Sequence, residues 1–369
     1  MSIDTGTPTW LRTYNDRAAF RLLLEHGPLS RSMLGKLSGM SKPTAGQMIT
    51  RLERLGLISP VGEVTGARGP KATAYGARAD SMTGVAVSIL ADRIEAVLVD
   101  PTDAGHPIAD LSIEGVERSP VTDVTRAVDA ACATAGVDRA SVSVVAVGVQ
   151  AAVDADTDRL TFTDTLPGWP ERGARALIEA GTGLTTTVEN DVNLAAMAER
   201  AITDEADFVF LWLGSGLGTG INVDGVVRRG ASGSAGEIGY LEVPRSAIAL
   251  DPAAETFTDL LGGPAIARLL GHPAADFTAA LKELPQNEPV LAELAVRVVM
   301  LVDVITAVLD PACVVLGGPT GLAGGDRLAE LVQARVRASR AGDEPVLQGA
   351  RQLLVANIRE RLEAAIAAS

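Results

Sequence analysis

Phe208-Val209-Phe210-Leu211-Trp212-Leu213-Gly214-Ser215-Gly216-Leu217-Gly218-Thr219-Gly220 is an apolar run of strand length that opens into a glycine-rich exit. Ile221 to Val223 then returns as a second strand. Such an exit either cradles a ligand with its backbone or is a strand-to-strand turn that holds nothing. Upstream, Thr185 to Glu189 is a strand running into Asn190-Asp191-Val192-Asn193, and Leu194 to Ile202 lies on a helix. Farther upstream, Thr83 to Ile89 and Ile94 to Asp100 are apolar runs split by a turn, a hairpin that starts a sheet. Pro120 to Ala135 reads as a helix and Val142 to Val149 as a buried strand, and Ala174, Leu177 and Ile178 have helical spacing. Downstream, Leu294 to Leu309 reads as a buried helix, and Val314 to Leu316 is a strand opening into Gly317-Gly318-Pro319. Alternating strands and helices with glycine-rich strand exits predict an α/β fold with sites at strand ends.

Composition narrows the class. The chain has 369 residues, room for two or three domains. Aromatics make up only 3%, which suits aliphatic α/β layers better than an all-β lectin. Met1 to Arg12 has no apolar leader pattern, and the apolar stretches are too short or too interrupted by charge to span a bilayer. Cys132 and Cys313 are isolated thiols that imply no disulfide framework. The expectation is a cytoplasmic protein with no membrane partner.

Net charge is −14, but it is unevenly spread. Residues 1–78 hold eleven Lys/Arg against five Asp/Glu, a net +6, which leaves 21 against 41, a net −20, for residues 79–369. A small basic head on a large acidic body is expected when one domain meets DNA and the other does not. The head's pattern agrees. Asn15 to His26 is helical and ends at Gly27-Pro28. Ser30 caps a short helix, Gly39 turns, and Ser41 caps a third helix whose apolar stripe is Ala45, Met48, Ile49, Leu52 and Leu55. The other face shows Lys42, Thr44, Gln47 and Arg51. That order describes a helix-turn-helix, with Thr44 and Gln47 as base readers and Ser41, Lys42 and Arg51 on phosphates. Gly46 weakens the helix and allows closer backbone approach to DNA. Leu57 to Val61 and Ala72 to Tyr75 are strands around Thr65-Gly66-Ala67-Arg68-Gly69-Pro70-Lys71, a β-wing whose Arg68 and Lys71 suit the minor groove. The alternative for the head is a protein-docking module with solvated charges.

Four segments in order resemble the ROK family of repressors, open reading frames and sugar kinases. They are Glu189 to Asn193, Leu213 to Gly220, Gly230 to Tyr240, and Asp310-Pro311 followed by Gly317-Gly318. The head resembles the winged domain of that family's xylose- and N-acetylglucosamine-type repressors, including the opening Ser41-Lys42-Pro43-Thr44. The resemblance implies an N-terminal winged helix-turn-helix (1–78) followed by a two-lobed sugar-kinase-like domain of the actin/hexokinase type (79–369), which senses and dimerises. It also implies a sugar-binding set of Asn190, Asp191, Glu237, Tyr240 and Glu255. Asp191 matches the kinases' catalytic base. An isolated Asn-Asp is otherwise a helix N-cap.

Two departures from the family bear on function. The kinases' Asp-x-Gly-x-Thr phosphate turn aligns with Ser88-Ile89-Leu90-Ala91-Asp92, in which Ser88, Leu90 and Asp92 replace the Asp, the Gly and the Thr. Leu90 blocks backbone approach to a phosphate and Asp92 repels it. The family's zinc site takes a His after Gly-Glu-Ile-Gly and three Cys, whereas here Tyr240 replaces the His and residues 241–262 contain no Cys. The expectation is a DNA-binding repressor with no cofactor, no metal and no catalytic residues. Its partners are inverted-repeat operator DNA and a sugar or sugar-phosphate effector, and it acts as a homodimer or tetramer. Two alternatives stay open: an ATP-dependent sugar kinase with a DNA-binding head, and a regulator that has lost sugar sensing.

Overall fold

Two serines set the N-terminal architecture. In the computed structural model, which describes residues 8–64, 71–90, 92–114, 117–163, 166–333 and 335–369, Ser30 Oγ accepts from Met33 N–H at 3.3 Å and Ser41 Oγ from Thr44 N–H at 3.3 Å. Each hydroxyl satisfies a backbone donor that the first turn of a helix leaves unpaired. Between them Gly39, at φ 69°, provides the left-handed residue that ends one helix and turns into the next. The head is α1 (Pro8–His26), β1 (Leu29–Ser30), α2 (Arg31–Ser38), α3 (Lys42–Arg54), β2 (Ile58–Val64) and β3 (Ala72–Ala77). The strands form a small antiparallel sheet in the order β1-β3-β2. Ala45, Met48, Ile49 and Leu52 of α3 are fully buried with Phe20 and Leu23 of α1, the stripe expected from the sequence.

Several boundaries differ. Helix α1 starts at Pro8 rather than Asn15; its extra turns carry Trp10 and Tyr14, which stack on each other at 5.5 Å. Strand β2 runs on to Val64 through a bulge between Pro60 and Gly62, the irregularity a proline requires inside a ladder. The wing tip expected at Thr65 to Pro70, Arg68 included, lies outside the described residues.

Two five-stranded sheets follow, built to one plan. The first contains β4 (Thr83–Ile89), β5 (Arg93–Val99), β6 (Ile108–Ser112), β7 (Val142–Val149) and β10 (Thr185–Asn190), in the order β10-β7-β4-β5-β6. Its helices are α4 (Pro120–Ala135) and α5 (Ala174–Thr182), and a small ribbon is formed by β8 (Ala152–Asp154) and β9 (Arg159–Thr161). Then come α6 (Asp191–Arg200) and the second sheet: β11 (Phe208–Leu213), β12 (Leu217–Val223), β13 (Val226–Arg228), β14 (Cys313–Gly317) and β15 (Val336–Ala338), ordered β13-β12-β11-β14-β15. Each sheet is thus a three-strand antiparallel meander extended by two parallel strands. Helices α7 (Phe257–Leu261), α8 (Gly263–Leu269), α9 (Phe277–Ala280), α10 (Glu288–Leu309) and α11 (Gly318–Val332) pack with the second sheet. Helix α10 begins before Leu294 and is buried on one face only, since Val296 and Val308 are exposed.

The last element, α12 (Pro345–Ala368), returns to the first sheet. Its buried residues Val346, Ala350, Leu354, Ile358, Leu362 and Ile366 recur at helical spacing and join a core shared with α6, β4 and the head. No described helix is long and apolar enough to cross a membrane.

Candidate functional site

Helix α6 starts where strand β10 ends, so its first residues sit at a strand exit. Asn190 is the cap: its Oδ1 accepts from Asn193 N–H at 2.9 Å, while its Nδ2 donates to the Ala151 carbonyl at 3.0 Å. The capping alternative therefore describes Asn190, which ties the β8 ribbon to α6. Asp191 follows, 7% exposed, with its Oδ1 accepting from Val192 N–H at 2.8 Å. Burial, together with the nearby charge of Glu237, pushes the Asp191 carboxyl up to about 7.

Glu237 reaches this place from the second sheet. Gly220 leaves no room for a Cβ between β12 and Ala196 of α6, so the strand lies directly against the helix. The preceding Thr219 grips the Gly236 carbonyl with its N–H at 2.9 Å and its hydroxyl at 3.2 Å, and Gly236 turns there at φ 95°. Glu237 is the next residue; burial raises its carboxyl above the ordinary value. Two carboxyl groups raised by burial are thus contributed from the two sides, near enough for the charge of Glu237 to act on Asp191.

Partnerships that the sequence reading did not show surround this pair. Glu189 is buried and accepts from Asn190 N–H at 3.0 Å, Asn193 Nδ2 at 3.1 Å and Arg229 Nε at 2.5 Å. It links the strand exit to the segment that carries Glu237. A glutamate directly before Asn-Asp was the only available signal, and its arginine partner lies forty positions away. Tyr240, three residues past Glu237, stacks on Phe162 with ring centroids 4.6 Å apart. Phe162 follows β9, so this contact also joins the two sides; Phe162 sits at φ 59°, a strained backbone for an aromatic residue. Both rings remain substantially exposed. Glu255 is exposed; its carbonyl accepts from Val243 N–H at 3.0 Å, and its own N–H donates to Asp259 at 3.3 Å.

The segment aligned with the phosphate turn is a closed hairpin in which Leu90 N–H donates to the Arg93 carbonyl at 2.9 Å. Ser88 is buried within β4, Asp92 is exposed, and Ala91 lies outside the described residues. The glycine-rich exit forms a tight turn between β11 and β12, in which Gly214 N–H donates to the Gly216 carbonyl at 3.1 Å and β12 starts at Leu217. Gly318, at φ 72°, packs against Leu213, so the two glycine-rich exits are neighbours. The residues present do not fit a zinc site. Cys132 is packed in the core beneath the first sheet, Cys313 belongs to a separate core cluster, and no three His, Cys, Asp or Glu converge among the described residues.

The exposed face of α3 forms a second candidate surface. An open depression of about 500 Å³ is lined by Arg31, Lys42, Pro43, Gly46, Gln47, Thr50 and Arg51. Gln47 and Lys42 are exposed on it, and the space beside Gly46 is open. Ser41 and Thr44 share a hydroxyl–hydroxyl hydrogen bond at 2.8 Å. Arg51, which the sequence reading set on a phosphate, lines the depression while its Nε and Nη2 bond Asp16 at 2.6 Å, tying α3 to α1. Arg31, which the sequence reading missed, donates to the Tyr75 hydroxyl at 3.0 Å and stands over that ring. Lys71, directly before β3 at the loop end of the β2–β3 hairpin, pairs with Glu63 at 3.2 Å, with both side chains exposed.

Comparison with known proteins places these features in context. The pattern of the ROK family matches residues 94–352. The xylose repressor of Bacillus spizizenii is 22% identical over 256 residues, covering 65% of this chain and 63% of the repressor's own length. The beta-glucoside kinase of Listeria innocua is 32% identical over 148 residues, covering 38% of this chain and 50% of the kinase. Among solved structures, a ROK family transcriptional regulator described as a homolog of the E. coli MLC protein superposes with a TM-score of 0.66 at 18% identity. That superposition covers 97% of this chain and 100% of the other, a likeness of fold.

Proposed function

Because the chain belongs to the ROK family, we propose that it is a DNA-binding transcriptional regulator, a repressor controlled by a sugar or sugar derivative that its kinase-like body binds without phosphorylating. Residues 1–78 act as a winged helix-turn-helix, and residues 79–369 sense and dimerise. The observation that carries the reading is the exposed face of α3, where Lys42 and Gln47 line an open depression beside Arg31. A helix presenting a cation and a bidentate amide on a basic head has the chemistry to enter a major groove. Ser41, Thr44, Arg68 and Lys71 complete the set, and Arg51 contributes by holding α3 in place. The similarity to a xylose repressor supports the same reading.

The effector site is the Asp191–Glu237 pair. Two desolvated carboxyl groups need hydrogen-bond donors, and the vicinal hydroxyls of a sugar supply them at fixed spacing. Tyr240 stands at their edge. The closed Leu90 hairpin, with Asp92 beside it, offers no cradle for a nucleotide phosphate, and phosphoryl transfer rests on positioning and charge neutralisation. A dimer built by the body sets two recognition helices on the two halves of an inverted repeat. The test is selection from a random-sequence duplex pool by the full chain. Enrichment of a two-fold symmetric site supports the proposal, and absence of any enriched sequence rejects it.

A further inference from the structure

The candidate effector site and the α3 face are joined by an unbroken series of contacts. Asp191 opens α6, and one turn later the Leu194 carbonyl touches Gly349 of α12 so closely that a Cβ at 349 has no room. Helix α12 then runs on through Ile358 and Leu362 into the core of the head. Gly349 to Glu363 is about 21 Å of continuous helix at 1.5 Å per residue. At its far end Glu363 accepts from Arg21 Nε at 2.6 Å and Arg21 Nη2 at 2.5 Å, and its carbonyl accepts from Arg17 Nε at 2.9 Å. Arg17 and Arg21 lie on α1, which also holds Asp16, the residue that locks Arg51 of α3.

We infer that α12 is the strut that transmits the state of the Asp191–Glu237 site to the recognition helix, and that Glu363, with Arg17 and Arg21, positions the head on it. The inference rests on the reading of the molecule as a ligand-controlled DNA-binding protein. A backbone-to-backbone crossing such as Leu194–Gly349 has no flexible side chain to absorb a shift, so displacement of the first turn of α6 moves α12 as a body. A bidentate carboxylate–guanidinium pair fixes orientation as well as distance, and it sits where the strut meets the head. Two sites biasing one shared element are coupled, and the coupling is reciprocal.

Hydrogen exchange on the full chain reads this link without DNA or sugar, so its outcome is independent of the duplex selection that tests the function itself. Asp191→Asn at pH 8 removes the buried charge and changes protection in the first turn of α6. The expected result is a further change of about threefold or more in peptides covering 10–26 and 42–54. In Asp191→Asn/Glu363→Gln the α6 change persists and the change in the head is lost. Arg21→Gln in place of Glu363→Gln gives the same result from the other side of the pair. A head that does not respond to Asp191→Asn, or one that responds equally after Glu363→Gln and after Arg21→Gln, overturns the inference.

Discussion

Arg51 holds Asp16 through two hydrogen bonds of 2.6 Å, with the Asp16 side chain only 7% exposed. An arginine beside the exposed face of α3 thereby braces α3 against α1. Removing the arginine leaves a buried carboxylate without its partner. Arg51→Ala should destabilise the head by about 3–5 kcal/mol and weaken binding to every duplex. The salt dependence of the remaining binding should keep its slope, because no phosphate contact is lost. Denaturant melts and binding at two salt concentrations check this; a slope reduced by about one ion would assign Arg51 to a phosphate instead.

Gln47 and Lys42 should separate specificity from affinity. Gln47→Ala is expected to cost about 1–3 kcal/mol at one symmetric pair of operator positions and to relax base choice there. Lys42→Ala should weaken all sites alike and flatten the salt dependence by about one phosphate. A binding series over single-base variants of the selected duplex distinguishes them, and an exchange of the two phenotypes would reverse the placement of α3 in the groove.

Asp191 should impose a pH dependence on stability. Its carboxyl is pushed up to about 7 in the folded chain, above the ordinary 3.8. The folded state therefore holds a proton that the unfolded state has released, so the contribution is complete below about pH 4 and is lost as pH rises through 7. Between pH 5 and pH 8 this amounts to about 2–3 kcal/mol. Urea midpoints should fall over that interval in the wild type and fall less in Asp191→Asn. Identical slopes in both proteins would mean that Asp191 is ionised throughout.

The strand and helix runs of the body were legible because each buried segment is apolar along its length, as in Phe208 to Leu213 and Val142 to Val149. Ser30, Gly39 and Ser41 were legible because capping chemistry is local. The partnerships were not. Glu189 and Arg229, Arg51 and Asp16, and Glu363 and Arg21 are separated by 40, 35 and 342 positions. A charged residue on a helix face looks the same in sequence whether it meets solvent or a buried carboxylate. Asp191 and Glu237 could be named from their motifs, but what brings the Glu237 segment toward α6 lies in Gly220 and Thr219, whose small size and hydroxyl matter only once β12 is laid against α6.

The closed hairpin at Leu90 should leave the protein without phosphoryl transfer. Incubation with ATP, magnesium and glucose, xylose or N-acetylglucosamine should release no ADP above the sugar-free background. Turnover at ordinary kinase rates, about 1–100 per second, would restore the enzyme reading.

The most direct measurement is a sugar titration of the preformed complex between the full chain and its selected duplex, followed by fluorescence anisotropy. The same titration is run on Glu237→Gln, whose head is untouched. The account predicts that one sugar of a pentose, hexose and N-acetylhexosamine panel shifts wild-type DNA affinity by about 5–150-fold. Glu237→Gln should bind the duplex as the wild type does and fail to respond. A panel in which no sugar shifts the wild type, or a Glu237→Gln protein that responds at the same concentrations, would contradict it.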